Sequence, residues 1–282
     1  SVFSIDESYT FFNPKTGFTL SLAPGKQVYG SIAVANREPV RDDFVDNLGS
    51  TPKHETLYNA ELGYRVSTNK VMFAANYYLM SYRNQLVLTG ALNDVGANIR
   101  TNVDNSYRTG IELEGSIMLS DKVKWAPNLT LSQNKIARFT EVIYDYGTDW
   151  DEYNEVQREY ADTDISFSPS VIAGSVLSYS PIADAEISLL SKYVGKQYLD
   201  NTSNIDRSID SYMVQDLRIS YSLKPDFIRE ISISVVLNNL LNEQYESNGY
   251  TWGYLGGGDA YRENYYYPQA GTNVLAMVAF KF

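Results

Sequence analysis

The chain has 282 residues with 34 acidic and 23 basic side chains, a formal net charge of −11, no cysteine and a single histidine, His54. The acidic balance excludes a nucleic-acid-binding surface, and no nucleic-acid partner is expected, because phosphate recognition needs clustered cations. Without cysteine there are no disulfides, thiolate zinc sites or cysteine nucleophiles; one histidine excludes a His-rich metal centre, and no apolar run reaches the ~18 residues of a membrane-spanning helix.

Taken in chain order, eleven strands are predicted at 16–23, 27–37, 56–66, 71–89, 106–120, 123–140, 170–180, 185–198, 211–223, 230–246 and 265–282. The pattern has period two. At 106–120 Tyr107, Thr109, Ile111, Leu113, Gly115, Ile117 and Leu119 alternate with Arg108, Gly110, Glu112, Glu114, Ser116 and Met118. Successive side chains of a strand point to opposite faces, so one face is apolar and the other charged. The same split sets Tyr58, Ala60, Leu62, Tyr64 and Val66 against Asn59, Glu61, Gly63 and Arg65, and Leu217, Ile219, Tyr221 and Leu223 against Asp216, Arg218, Ser220 and Ser222.

The 24 tyrosines and this alternation suit two architectures, a secreted β-sandwich or an outer-membrane β-barrel. Spacing separates them. Short turns are predicted at Pro24–Lys26, Ser67–Asn69, Ser120–Lys122, Pro181–Asp184 and Lys224–Arg229, and long polar loops at 38–55, 90–105, 141–169, 199–210 and 247–264. Many of the strands supply the ~9–11 residues a tilted membrane strand needs. Short turns at one end and long loops at the other mark an outer-membrane barrel. The expected fold is therefore all-β, a transmembrane antiparallel β-barrel. The alternating Val274, Ala276, Val278, Phe280 and Phe282 resemble the carboxy-terminal recognition signal of bacterial outer-membrane proteins.

Six segments in order carry a closer resemblance. They are Ala35–Phe44; Pro52–Glu55 with Glu61–Tyr64; Gln85–Gly90 with Asn93–Gly96; Ser106–Glu112; Asn238–Tyr245; and the last strand. Together they resemble the TonB-dependent outer-membrane receptors, and within them the Bacteroidetes-type members. The resemblance implies a 22-stranded barrel filled by an N-terminal plug. On that frame Phe282 ends strand 22, and the first strand here is strand 12, descending into a periplasmic turn at Pro24–Lys26. Residues 1–282 are then expected to be the carboxy-terminal half of the barrel, with the plug and the other strands outside this chain.

The implied function is energised import of a scarce chelate across the outer membrane, most often a ferric siderophore, with cobalamin or haem next and a passive porin as a further alternative. No enzymatic activity is expected: no Gly-x-Ser-x-Gly is present and His54 has no evident partner set. The implied partners are the plug and first barrel half, the TonB complex acting through the plug, and outer-membrane lipids; a capping surface lipoprotein is frequent among Bacteroidetes-type relatives, and the sequence leaves it open here. For haem, His54 is the one tempting residue, but Arg37-Glu38-Pro39 departs from the Phe-Arg-Ala-Pro pattern of haem importers.

Three residue sets are candidates for function. Glu61, Arg65, Arg108, Glu112, Glu114, Asp216 and Arg218, with Lys192, form either a lumen lining that faces the plug or a merely solvated interior. Segment 141–169 carries nine carboxylates against Arg158 alone; Asp149, Asp151 and Glu152 are candidate Ca²⁺ ligands by hard-oxygen chemistry, but no EF-hand spacing is present and an acidic surface loop is the favoured reading. No other cofactor is expected. Tyr146, Trp150, Tyr153, Tyr250, Trp252 and Tyr254 are candidate substrate contacts, since such rings give rigid amphipathic contact area. Tyr265–Tyr267 are assigned instead to the aromatic girdle at the membrane interface.

Overall fold

Alternation of β-branched and aromatic residues with polar ones is realised as strands nearly throughout. In a computed structural model that describes residues 6–46, 51–93 and 95–282, the strands are β1 Lys15–Ala23, β2 Lys26–Arg37, β3 Glu55–Ser67, β4 Val71–Leu92, β5 Asn98–Ser120, β6 Val123–Asp145, β7 Asn154–Asp164 and β8 Val171–Tyr179. They continue with β9 Ala185–Val194, β10 Gln197–Tyr198, β11 Ser208–Ile209, β12 Tyr212–Leu223, β13 Glu230–Asn238, β14 Glu246–Gly256, β15 Asp259–Pro268 and β16 Asn273–Lys281. The helix α1 is Arg41–Asp46.

Eleven strands, each within or overlapping one predicted span, form one path in the order β1-β2-β3-β4-β5-β6-β8-β9-β12-β13-β16. Every neighbouring pair is antiparallel. An odd number of alternating strands leaves β1 and β16 running in the same direction. Among the described residues each has one partner only, so the sheet is open and the barrel is not closed.

The register carries the period-two pattern across the whole sheet. On one face Phe18, Gly30, Leu62, Tyr77, Ile111 and Leu131 stand opposite one another in sequence. Further round, Trp125, Leu177, Leu189, Leu217, Leu237 and Val274 do the same. Leu62 and Ile111 are 55% and 47% exposed, which an aqueous surface would penalise and a lipid one would not. On the other face Arg65, Ala74, Glu114, Asn128, Gly174 and Lys192 form a row. The turn at Pro24-Gly25 shows how the short end is made: Pro presets the first corner, and Gly25 takes the second at φ 72°, a type II geometry.

The long end differs from expectation in several places. The predicted 90–105 loop is mostly strand, because β4 and β5 stay paired as far as Leu92 and Asn98. The predicted 141–169 loop is a hairpin in which β6 continues to Asp145 and returns as β7, and the predicted 247–264 loop is the hairpin β14–β15. The predicted strand 230–246 ends at Asn238, and 265–282 is split into β15 and β16. Strand 185–198 likewise stops at Val194. Within 38–55 the short α1 forms, its Asp43 Oδ2 accepting the Val40 N–H at 2.8 Å, the backward half of a capping box. Residues 47–50 of that loop, and Asp94 of one resembling segment, lie outside the described residues.

The packed core lies where β4, β5 and β6 rise past the rest of the sheet. Val87, Val103, Ile136, Phe139 and Ile165 cluster there, nearly fully buried, with Tyr160 against them. A barrel wall buries its apolar face in lipid and its polar face in the lumen, so this is the level at which side chains must pack on one another.

Candidate functional site

The long-end hairpins do not stand apart. The β14–β15 hairpin leaves the sheet after β13 yet pairs in parallel with the tip of β6, Tyr254 opposite Tyr144 and Leu255 opposite Asp145. Tyr146 N–H donates to the Leu255 carbonyl and Gly257 N–H to that of Gly147, both at 2.9 Å. The hairpin thus reaches back past β12, β9 and β8 and makes a strap over the long end of the sheet.

Rings fill the junction. Trp150 contacts Tyr146, Tyr254 and Tyr261 at centroid distances of 6.5, 5.8 and 5.9 Å; Tyr153 contacts Tyr144 and Tyr146 at 5.1 and 5.9 Å; Trp252 contacts Tyr254 at 4.9 Å. Gly256 and Gly257 lie under the indole: a Cβ on Gly256 would stand 2.8 Å from Trp150 Cζ3. Of the six predicted substrate contacts, Tyr146, Trp150, Tyr153 and Tyr254 are brought together, with Trp252 at the edge. Tyr250 is not; it stacks on Tyr265 at 4.7 Å. Tyr265–Tyr267 belong to this hairpin, and the Tyr266 hydroxyl donates to the Ser208 carbonyl at 3.1 Å, a loop-to-loop contact.

Beneath the rings, one carboxylate ties three connections together. Glu141 on β6 accepts Arg207 Nη1 at 2.6 Å, Arg262 Nη2 at 2.7 Å and the Tyr160 hydroxyl at 2.9 Å. Arg207 also donates to Asp200 Oδ2 at 2.7 Å. Burial works to raise the Glu141 pKa, but Arg207 and Arg262 outweigh it and hold the carboxyl below its ordinary value. Burial likewise works against the Arg207 charge, and the Asp200 and Glu141 carboxylates more than restore it. The adjacent loop is locked from below, with the Ser166 N–H donating to Asn201 Oδ1 at 2.8 Å and the Asp164 N–H to Ser203 Oγ at 2.7 Å. On the other side of the mouth Arg100 grips Asp43 with two donors, at 2.8 and 3.1 Å.

The predicted polar-face residues share a face, as the alternation requires. Glu61, Arg108 and Glu112 line a cavity of about 410 Å³ with Asn76, Tyr78 and Ser168. Arg108 Nη1 donates to Ser168 Oγ at 2.8 Å. Lys192 and Asp216 line a second, of about 680 Å³. Arg65 stands over the Tyr29 ring, and Arg218 lies 3.5 Å from Glu186. Asp216 also accepts the Asn239 N–H at 2.8 Å. Asn239, inside the segment Asn238–Tyr245, is 4% exposed at φ 49°; its amide donates to the Glu243 and Ala270 carbonyls, and its Oδ1 accepts the Glu243 N–H.

The predicted Ca²⁺ ligands are not gathered. Among the described residues no three His, Cys, Asp or Glu side chains stand close enough to hold a metal ion, and Glu152 accepts from Asn154 instead. His54 lies against Phe11 and Tyr9. The features that sequence reasoning missed are the Glu141 hub, the Asp43–Arg100 pair and Asn239. Arg262 is 121 residues from Glu141, so no local pattern signals that pairing.

Comparison with known proteins adds the family. A model described as "TonB dependent receptor-like, beta-barrel" matches residues 1–240. Among curated proteins, none matches. Solved structures share the fold. The copper transporter OprC has 18% identity and TM-score 0.67 over 95% of this chain and 39% of its own. The siderophore receptor PiuA from Acinetobacter baumannii has 16% and 0.66 over 95% and 35%. The ferric yersiniabactin uptake receptor FyuA from Yersinia pestis has 17% and 0.61 over 94% and 36%. The chain therefore spans little more than a third of the length of the structures it matches. An open antiparallel sheet with one lipid-suited face, short turns at one end and strapped hairpins at the other matches that model over 240 of 282 residues, and the chain belongs to the TonB-dependent receptors, outer-membrane β-barrel proteins.

Proposed function

We propose that this chain is the carboxy-terminal wall of a receptor that imports a ferric chelate across the outer membrane, driven by TonB. The observation that carries the reading is the mouth itself. Three long connections converge on Glu141, and two of them build one ring cluster above a polar sheet face, so a ligand entering the lumen must pass a structured, aromatic-lined gate. Solved receptors of the same fold are described as taking up ferric yersiniabactin or as siderophore receptors, which favours iron chelates as cargo.

The sheet also asks for a partner. Two open edges in lipid would leave backbone groups unsatisfied at several kcal/mol each. An antiparallel barrel closes only with an even number of strands. An odd number must be added to these eleven, and we assign it, with the plug, to a preceding part of the same receptor. Glu61, Arg108, Glu112 and their neighbours then face that plug.

The test is uptake of ⁵⁵Fe chelates by cells expressing the full receptor, with and without TonB. Accumulation that needs both supports import. Uptake or ion conductance independent of TonB would favour a passive pore.

A further inference from the structure

The ring cluster at the mouth is open to solvent on one side. Trp150, Tyr153 and Trp252 keep 52%, 65% and 49% of their surface exposed although they touch their neighbours. Around them stand Asp145, Asp149, Asp151, Glu152 and Glu155 on the β6–β7 hairpin and Asp259 at the tip of the strap. Among the described residues none of these six carboxylates forms an ion pair. Few cations offset them: Arg207 and Arg262 both bind Glu141, Arg207 binds Asp200 as well, and in segment 141–169 Arg158 is the one cation, without an ion pair among the described residues. The platform therefore presents π faces inside a rim of net negative charge.

We infer that this mouth selects an iron chelate of zero or positive net charge, stacked on the Trp150–Trp252 rings, and discriminates against polyanionic chelates. This rests on the reading of the receptor as a ferric-chelate importer and names the class of cargo. Aromatic faces attract flat, apolar or cationic groups. Carboxylates repel added negative charge, and the single guanidinium of Arg158 leaves these six with a net charge of about −5. Three monoanionic hydroxamates on Fe³⁺ give a neutral complex, whereas three dianionic catecholates give a trianion. A triple charge acting on about five carboxylates roughly 10 Å away, screened at physiological salt, amounts to about ten- to a hundredfold in affinity.

The experiment uses the full receptor, plug included, with a neutral or cationic ferric trihydroxamate and a ferric tris-catecholate trianion as probes, titrated by tryptophan fluorescence and calorimetry. The trihydroxamate is expected to bind at least about tenfold more tightly, with the ratio narrowing in high salt. Combined Asp149→Asn, Asp151→Asn, Glu152→Gln and Glu155→Gln substitutions should narrow it too by admitting the trianion. Trp252→Ala, at the exposed edge of the cluster, should weaken the trihydroxamate without improving the trianion. Equal or tighter binding of the trianion, or a ratio indifferent to the carboxylate substitutions, overturns the charge inference and leaves iron import standing. If neither iron chelate binds, the import reading falls and the inference falls with it.

Discussion

Removing the Glu141 charge should unlatch the strap without disturbing the sheet. In Glu141→Gln the shape is kept, but Arg262 loses its carboxylate and Arg207 keeps only Asp200. Hydrogen bonds to charged groups contribute about 1.5–3 kcal/mol each, and breaking a buried pair costs about 3–5 kcal/mol. Arg262 is 27% exposed and recovers part of its hydration, and the Arg207–Asp200 contact at 2.7 Å survives. A loss of about 3 kcal/mol in local closure is therefore expected, roughly a hundredfold in the opening equilibrium. The Tyr146 and Gly257 amides report it directly, because both donate across the junction of the two hairpins. Hydrogen exchange on the full receptor should show those amides exchanging about a hundredfold faster while Ile219 and Val235, paired within the sheet, stay protected. Acid gives a second readout. The Glu141 pKa is lowered in the fold, so its contribution is complete above the ordinary carboxylate value of 4.5 and is lost as pH falls through the lower folded value. Wild type should loosen at the strap in that acidic window and Glu141→Gln should not show that transition. Unchanged Tyr146 and Gly257 protection in the variant would refute the latch.

Asn239→Ala should cost about 3 kcal/mol, since it removes three side-chain hydrogen bonds at a buried site and places alanine at a positive φ, and urea unfolding of the receptor measures it. Ile111→Arg, on the lipid-suited face, should cost about 2–4 kcal/mol for folding into bilayers, whereas Glu61→Gln on the opposite face should change it little; equal costs would contradict the face assignment. Gly257→Ala, at φ 61° beneath Trp150, should cost about 1 kcal/mol and shift the near-ultraviolet circular dichroism of the tryptophans.

Most of the wall was legible residue by residue. The Tyr107–Leu119 alternation, its neighbours and the terminal Val274–Phe282 pattern each state which side chains meet lipid, and the registers align them into continuous rows. What was misread lies at the long end. Segments 141–169 and 247–264 look like polar loops because their strands pair only with each other and with one another's tips, and the few apolar residues they bury, such as Ile143 and Ile165, are too sparse among the charges to mark a lipid face. Asn239 looks like an ordinary strand residue, yet its positive φ ends β13 and turns the chain out of the sheet.

The division has a physical origin. Lipid and lumen are uniform surroundings, so a wall residue needs only its own polarity to know its face, and strand order follows from short turns between neighbours. The sequence by itself therefore determined the eleven wall strands, their faces and the polarity of the two ends. The mouth depends on partners far apart in the chain, such as Glu141 with Arg207 and Arg262, 66 and 121 residues away. Charges of either sign are at home in a solvated loop, so only the tertiary structure decided which acid is buried as the latch and which remain free around the rings.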